Sequence, residues 1–235
     1  EDVSALLLDV DRDGDLDLFV GSGGNERPAS DAAYVDRLYM NDGTGNFARA
    51  KDALPEARNS NSCVSAFDFD GDGDLDLFVG SRSVPAKYPV SPAQQLLRND
   101  GGRFVDATDQ WSKDLRFVGM ITDAESADLD LDGSPELVLA GDWMPITVFS
   151  KRNGRLVNVT KELGLNEQLG WWCSVAIGDL DGDGYPEVIA GNRGLNSGLK
   201  ASVEQPVSLY YKDFDGNGSM DAVLCEVVNG KDSPV

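Results

Sequence analysis

The chain has 235 residues, 41% of them hydrophobic, with 20 basic and 41 acidic side chains, no histidine and a formal charge of −21. That length and apolar content are enough for a substantial core, in one large domain or two small ones, and exclude a disordered chain. With no basic stripe, nucleic acid is excluded as a partner, and no apolar run approaches the roughly 20 residues of a membrane-spanning helix.

From the N-terminus, the strand-like run Val3 to Val10 enters DVDRDGDLD at Asp9, which leaves through the apolar run LFVG. The pattern returns as DFDGDGDLD at Asp68, DLDLDGSPE at Asp128, DLDGDGYPE at Asp179 and DFDGNGSMD at Asp213. Acidic or amide side chains hold positions 1, 3, 5 and 9, glycine holds position 6, and an apolar residue or proline holds position 8. Calcium takes about six to eight oxygens in a flexible shell, so alternate carboxylates and one backbone carbonyl can wrap it in a tight loop. Glycine at position 6 permits the sharp turn. The predicted side-chain ligands are Asp9, Asp11, Asp13 and Asp17; Asp68, Asp70, Asp72 and Asp76; Asp128, Asp130, Asp132 and Glu136; Asp179, Asp181, Asp183 and Glu187; and Asp213, Asp215, Asn217 and Asp221. At position 7, Asp15, Asp74, Ser134, Tyr185 and Ser219 are expected to offer backbone carbonyls.

The five loops carry 21 of the 41 acidic residues, so the acidity belongs largely to these sites, and five calcium ions would move the charge from −21 to −11. The Asn217 loop, with three carboxylates instead of four among its side-chain ligands, is expected to bind most weakly. Zinc does not suit a chain without histidine whose three cysteines lie outside the loops. An EF-hand needs a bidentate glutamate at position 12 and a following helix. Position 12 here holds Val20, Val79, Leu139, Ala190 and Leu224, and each loop leads into a short apolar run that reads as a buried strand. Farther on, Leu38 to Phe47, Leu96 to Phe104 and Val148 to Leu156 each spell strand, Asn/Asp/Gly turn, strand. A repeat is therefore four antiparallel strands in series: A, acidic loop, B, connection, C, tight turn, D. The first ligands of the first four copies stand 59, 60 and 51 residues apart, a period that predicts an all-β propeller or related array.

These D-x-D-x-D/N-G-x-x-D/E loops, each with a strand after it, resemble the FG-GAP repeats of integrin alpha-chain propellers, and more closely the bacterial VCBS/FG-GAP repeats of exported proteins. The resemblance covers nearly the whole chain. It implies a β-propeller, often of seven blades, with calcium in the A to B loops. Four blades are expected, at about 1–56, 60–112, 118–165 and 171–235, either as a segment of a larger ring and a larger polypeptide or as a single domain that closes into an unusually small ring. Calcium loops of this kind suit the high calcium outside cells, so an exported, extracellular, cell-surface or periplasmic protein is expected. No signal peptide precedes Glu1, and the chain opens directly on a repeat, as a mature or excised segment would.

The fifth loop starts only 34 residues after the fourth. It either opens a fifth blade or forms the C to D turn of the fourth. The first ligand precedes the C to D turn by 32, 31 and 24 residues in the earlier copies, which favours the second reading.

Strand order puts the B to C and D to A connections on the face opposite the calcium loops. That face is expected to bind a protein or glycan through Arg82, Trp143, Trp171, Trp172, Asn192 and Arg193, with Gly23, Gly24, Asn25, Tyr88, Asp142 and Asn196 nearby. Aromatic and arginine side chains on loops suit such contacts. Trp171 and Trp172 also begin a strand, where packing alone is an alternative role. The expected function is a non-catalytic module of the cell-adhesion type. The alternatives are a carbohydrate lyase or hydrolase on a propeller and a purely structural spacer. No histidine, nucleophile elbow or nucleophile–base pair supports the enzyme, and Asp123, Glu125 and Asp142 read as polar strand ends. Cys63, Cys173 and Cys225 read as buried free thiols.

Overall fold

The structure, a computed structural model, describes residues 1–235 apart from Leu195 and Ser219. Strands β1 (Asp2–Leu8), β2 (Asp17–Ser22), β3 (Arg37–Asn41) and β4 (Phe47–Arg49) pair antiparallel in that order. A second sheet repeats this with β5 (Ser60–Phe67), β6 (Asp76–Ser83), β7 (Gln95–Asn99) and β8 (Phe104–Asp106). The third has β9 (Met120–Ala127), β10 (Glu136–Met144), β11 (Thr147–Arg152) and β12 (Arg155–Asn158). The hairpin of β13 (Gly170–Gly178) and β14 (Glu187–Asn192) joins this sheet where Asp142 faces Trp171 and Met144 faces Gly170. The last sheet comprises β15 (Ser208–Lys212), β16 (Asp221–Val228) and β17 (Lys231–Pro234). Among the described residues the chain is thus all-β with four antiparallel sheets; a 3-10 turn, Ala32–Tyr34, lies between β2 and β3, and a helical turn, α1 (Thr108–Trp111), comes after the second sheet.

The short spacing of the fifth loop has a physical reason that corrects the expectation of a C to D turn within 171–235. Among the described residues no third strand pairs with β14. The Asp213 loop instead connects β15 to β16, the first two strands of a separate sheet. Every acidic loop therefore joins a first strand to a second.

The first strands β1, β5, β9 and β13 lie side by side in chain order. Hydrophobic clusters fill the space between successive sheets: Leu8, Phe19, Val79 and Leu97 between the first and second, and Phe67, Phe78, Ile121 and Phe149 between the second and third. The second strands are buried on both faces, which is why they read as continuous apolar runs; Leu77, Phe78, Val79, Leu137, Val138 and Leu139 are all fully buried. In β14, at the edge of its sheet, the corresponding Val188 and Ile189 remain 38% and 47% exposed. Cys63 and Cys225 are buried free thiols, and burial pushes Cys63 up to about 12. Cys173 is exposed on β13, contrary to expectation.

The glycine that ends each apolar run sits where β-pairing shifts register. Gly21 faces Ser4, Gly80 faces Cys63 and Gly191 faces Ser174, each beside a bulge in the first strand. A Cβ on Gly80 would lie 2.5 Å from the Cys63 sulfur and 3.0 Å from Ile121. A side chain there forces the Cys63 sulfur aside and presses on Ile121 of the next sheet.

Polar links also tie sheets together. The half-buried Asp36 accepts hydrogen bonds from Ser22 N on its own sheet and from Asn61 Nδ2 on the next, at 2.8 and 2.7 Å. Gln94 does the same one sheet on, binding both Ser81 backbone groups and donating to Gly119 O at 2.8 Å. Asp123 and Glu125, expected at strand ends, lie within β9 and accept from Val175 N and Ile177 N of β13 at 3.0 and 3.1 Å. Their carboxylates satisfy an inner strand edge that has no ladder partner.

Two outcomes test this packing. Gly80→Ala should destabilise the protein by about 1–3 kcal/mol in urea titration with calcium present. Burial pushes Asp36 up to about 6 despite its donors, so the folded state holds a proton there that the unfolded chain has already released. Stability should therefore fall as pH rises from about 4 to 6 and level off above. In Asp36→Asn that slope should be reduced, as read by thermal melts in saturating calcium.

Candidate metal centre

Each acidic loop is built by its own side chains before any ion is considered. The position 1 carboxylate accepts the position 6 glycine N–H in all five loops: Gly14 to Asp9 at 3.2 Å, Gly73 to Asp68 at 2.9 Å, Gly133 to Asp128 at 2.8 Å, Gly184 to Asp179 at 3.0 Å and Gly218 to Asp213 at 2.9 Å. These glycines have φ between 87° and 92°, the left-handed region that side chains resist. Position 4 turns the same way, at Gly71, Gly182 and Gly216 but also at Arg12 (φ 63°) and Leu131 (φ 61°). The sequence contained that signal in the three glycines of position 4, which the emphasis on position 6 passed over.

Position 9 closes the corner. Asp17 accepts Val10 N at 3.0 Å, Asp76 accepts Phe69 N at 2.9 Å, Glu136 accepts Leu129 N at 2.9 Å, Glu187 accepts Leu180 N at 2.7 Å and Asp221 accepts Phe214 N at 3.0 Å. In the first two sheets the second oxygen also accepts a third-strand N–H, Asn41 to Asp17 and Asn99 to Asp76, both at 2.8 Å. Asp17, Asp76 and Glu136 are buried. Burial pushes Asp76 up to about 6 against those two hydrogen bonds, and burial first, then Asp13 and Asp17, raises Asp11.

These bonds bring ligand-type oxygens together. One oxygen each from Asp68, Asp70 and Asp76 lies within 4.8 Å of the others. The same holds for Asp128, Asp130 and Glu136, for Asp179, Asp181 and Glu187, and for Asp213, Asp215 and Asp221, all at positions 1, 3 and 9. In the first loop the trio is Asp9, Asp11 and Asp13, without Asp17. Asp72, Asp132 and Asp183 stand outside their trios and accept the position 7 amides of Asp74, Ser134 and Tyr185 at 2.8 Å. Asn217 donates to Asp215 Oδ2 at 3.0 Å, and Ser219 lies outside the described residues. An all-oxygen donor set fits a hard cation such as calcium. The enclosed Asp9 Oδ1 has no hydrogen-bond donor, as suits an oxygen reserved for an ion.

Neighbouring corners touch. Arg12 of the first loop donates to Asp72 O at 2.8 Å and ion-pairs with the Asp74 carboxylate at 2.5 Å in the second. Asn99 Nδ2 reaches back to Val10 O at 2.8 Å. Lys151 of the third sheet lies 5.6 Å from the Phe69 ring centroid.

The opposite strand ends carry the predicted ligand-face residues. Trp171 lies seven residues before the end of β13, about 23 Å from the acidic loop at ~3.3 Å per residue. Trp143, with φ 64°, meets Trp171 edge to face, ring centroids 4.8 Å apart and planes at 90°. The Trp143 indole N–H donates to Tyr88 OH at 2.8 Å, and the Arg193 guanidinium lies 5.1 Å from the Trp171 centroid. Arg82 ion-pairs with the buried Asp142 at 2.8 Å. Asn192 turns its amide oxygen onto Gly194 N at 2.7 Å. Trp172 departs from the group: it packs against the cluster containing Val138 and Val175 and donates to Gln168 O at 3.3 Å.

Positions 3 and 9 should separate experimentally. Asp76→Ala leaves two buried N–H groups without an acceptor and should cost roughly 2–5 kcal/mol with or without calcium. Asp70→Ala, at an exposed position, should change stability by less than about 0.5 kcal/mol after chelation, while removing one bound ion by mass spectrometry.

A family model described as an FG-GAP-like repeat matches residues 9–79 and 128–190. No curated protein matches the chain. Among solved structures, the crystal structure of the V. cholerae biofilm matrix protein Bap1 is similar at 18% identity and a TM-score of 0.40, over 95% of this chain and 35% of that one. The chain thus spans about a third of that protein's length. The two matched stretches take in more than half of the 235 residues, and the chain belongs to the FG-GAP-like repeat family.

Proposed function

We propose that the chain is a calcium-stabilised segment of a β-propeller, non-catalytic, which presents the loops opposite its metal corners to a protein or glycan. The observation that carries this reading is the fivefold recurrence, at one end of the strands, of three carboxylate oxygens within 4.8 Å. Such spacing is repulsive for anions and favourable around a divalent cation. Family membership supports the same assignment, since FG-GAP repeats carry calcium in these loops. The blades would be 1–56, 60–112 and 118–165, with 171–235 divided between the β13–β14 hairpin and the β15–β17 sheet. The side-by-side order of β1, β5, β9 and β13 is what inner strands of a ring would have. Exposed Val188 and Ile189 are the kind of surface that the rest of a larger ring would cover. An exported or cell-surface setting, rich in calcium, completes the reading.

Calcium acts here as a clamp. Binding to the folded state alone raises stability by mass action, and neutralising the loops relieves the repulsion within each corner. Chelation should therefore lower the melting temperature by several degrees or more and expand the chain in small-angle scattering. An unchanged melt in chelator contradicts a structural role for the ion.

A further inference from the structure

The ligand face contains a cleft of about 590 Å³, within the range of small-ligand sites. Its lining includes the right-angled pair Trp143 and Trp171, Asn192, Leu199, Pro206 and the carboxylate-bearing Glu167, and Arg193 stands beside it over the Trp171 ring. Three features mark it as built for a ligand. Trp143 holds a left-handed backbone at φ 64°, a conformation that costs a bulky residue about 1 kcal/mol or more and concentrates at functional sites. The Tyr88 hydroxyl fixes its indole at 2.8 Å. Arg193, exposed over Trp171, has no carboxylate within ion-pair distance among the described residues. Arg82 on the same face, by contrast, is occupied by Asp142.

We propose that this cleft binds a hexuronate saccharide, one to three rings long, whose C–H faces pack on the indoles while a ring carboxylate pairs with the Arg193 fork. The aromatic corner suits a ring with one apolar face. A guanidinium held over an indole is oriented for a bidentate carboxylate. In a chain of net charge −21, a cation without a carboxylate partner at the edge of this cleft is the local feature that favours an acidic sugar over a neutral one, against the Glu167 carboxylate that also lines it. The inference rests on the reading of this end as the binding face.

The test is calorimetric titration of the calcium-loaded chain with trigalacturonate, trimannuronate and triguluronate, and with their neutral methyl esters. At least one acid should bind, and its methyl ester should bind about tenfold or more weakly. Arg193→Gln should lose the same factor, Arg193→Lys should recover part of it, and Trp143→Ala should abolish binding while melting as a folded protein. Equal affinity for acid and ester, lost in Trp143→Ala, overturns the acidic class and leaves the face standing. Binding that Trp143→Ala and Arg193→Gln both retain overturns the face itself. No binding of any acid overturns the proposal.

Discussion

Everything in this fold turns on one hydrogen bond made five times, from the backbone N–H of loop position 2 to the carboxylate of position 9. Seven residues separate the partners, so the bond pins the loop's exit to its entry and fixes the angle at which the second strand leaves the first. In the first two sheets the same carboxylate also receives a third-strand amide, Asn41 or Asn99. A single side chain thus holds three strands at one corner. The cost is a buried or half-buried carboxylate in each case, and in the last four loops the carboxylates of positions 1 and 3 crowd beside it. A bound cation is the natural compensation for such crowding.

That constraint divides the molecule into two ends with different jobs. At the acidic end, position by position, side chains are committed to turning the chain, and Arg12 extends the network from one corner to the next. At the other end the backbone is freed from that duty. There the connections differ from sheet to sheet, and Trp143, Trp171 and Arg193 come together from elements that share no repeat position. A rigid scaffold with variable loops is the usual division of labour in binding modules.

The repeated parts were legible in sequence because their physics is local. Glycine at position 6, alternate carboxylates and apolar second strands each derive from a backbone angle, a coordination shell or burial on both faces. The parts that the sequence concealed depend on contacts between distant residues. Asp123 and Glu125 look like ordinary polar positions until β13 is laid beside β9. Position 9 reads as a ligand, and its part as a hydrogen-bond acceptor for Asn99 appears only once the third strand is in place. The fifth loop misled because spacing alone cannot distinguish a missing pair of strands from a shifted loop. Trp171 and Trp172, adjacent in sequence, face opposite surroundings because neighbours on a strand alternate, so only one of them lines the cleft.

Amide hydrogen exchange at Val10, Phe69, Leu129, Leu180 and Phe214, with calcium and after chelation, tests the shared corner most directly. All five amides should be protected in calcium. After chelation Val10 and Phe69 should keep their protection, because the third strand still holds the accepting carboxylate, whereas Leu180 and Phe214 should exchange rapidly. Five amides that exchange alike, as in open turns, in both conditions would contradict the account.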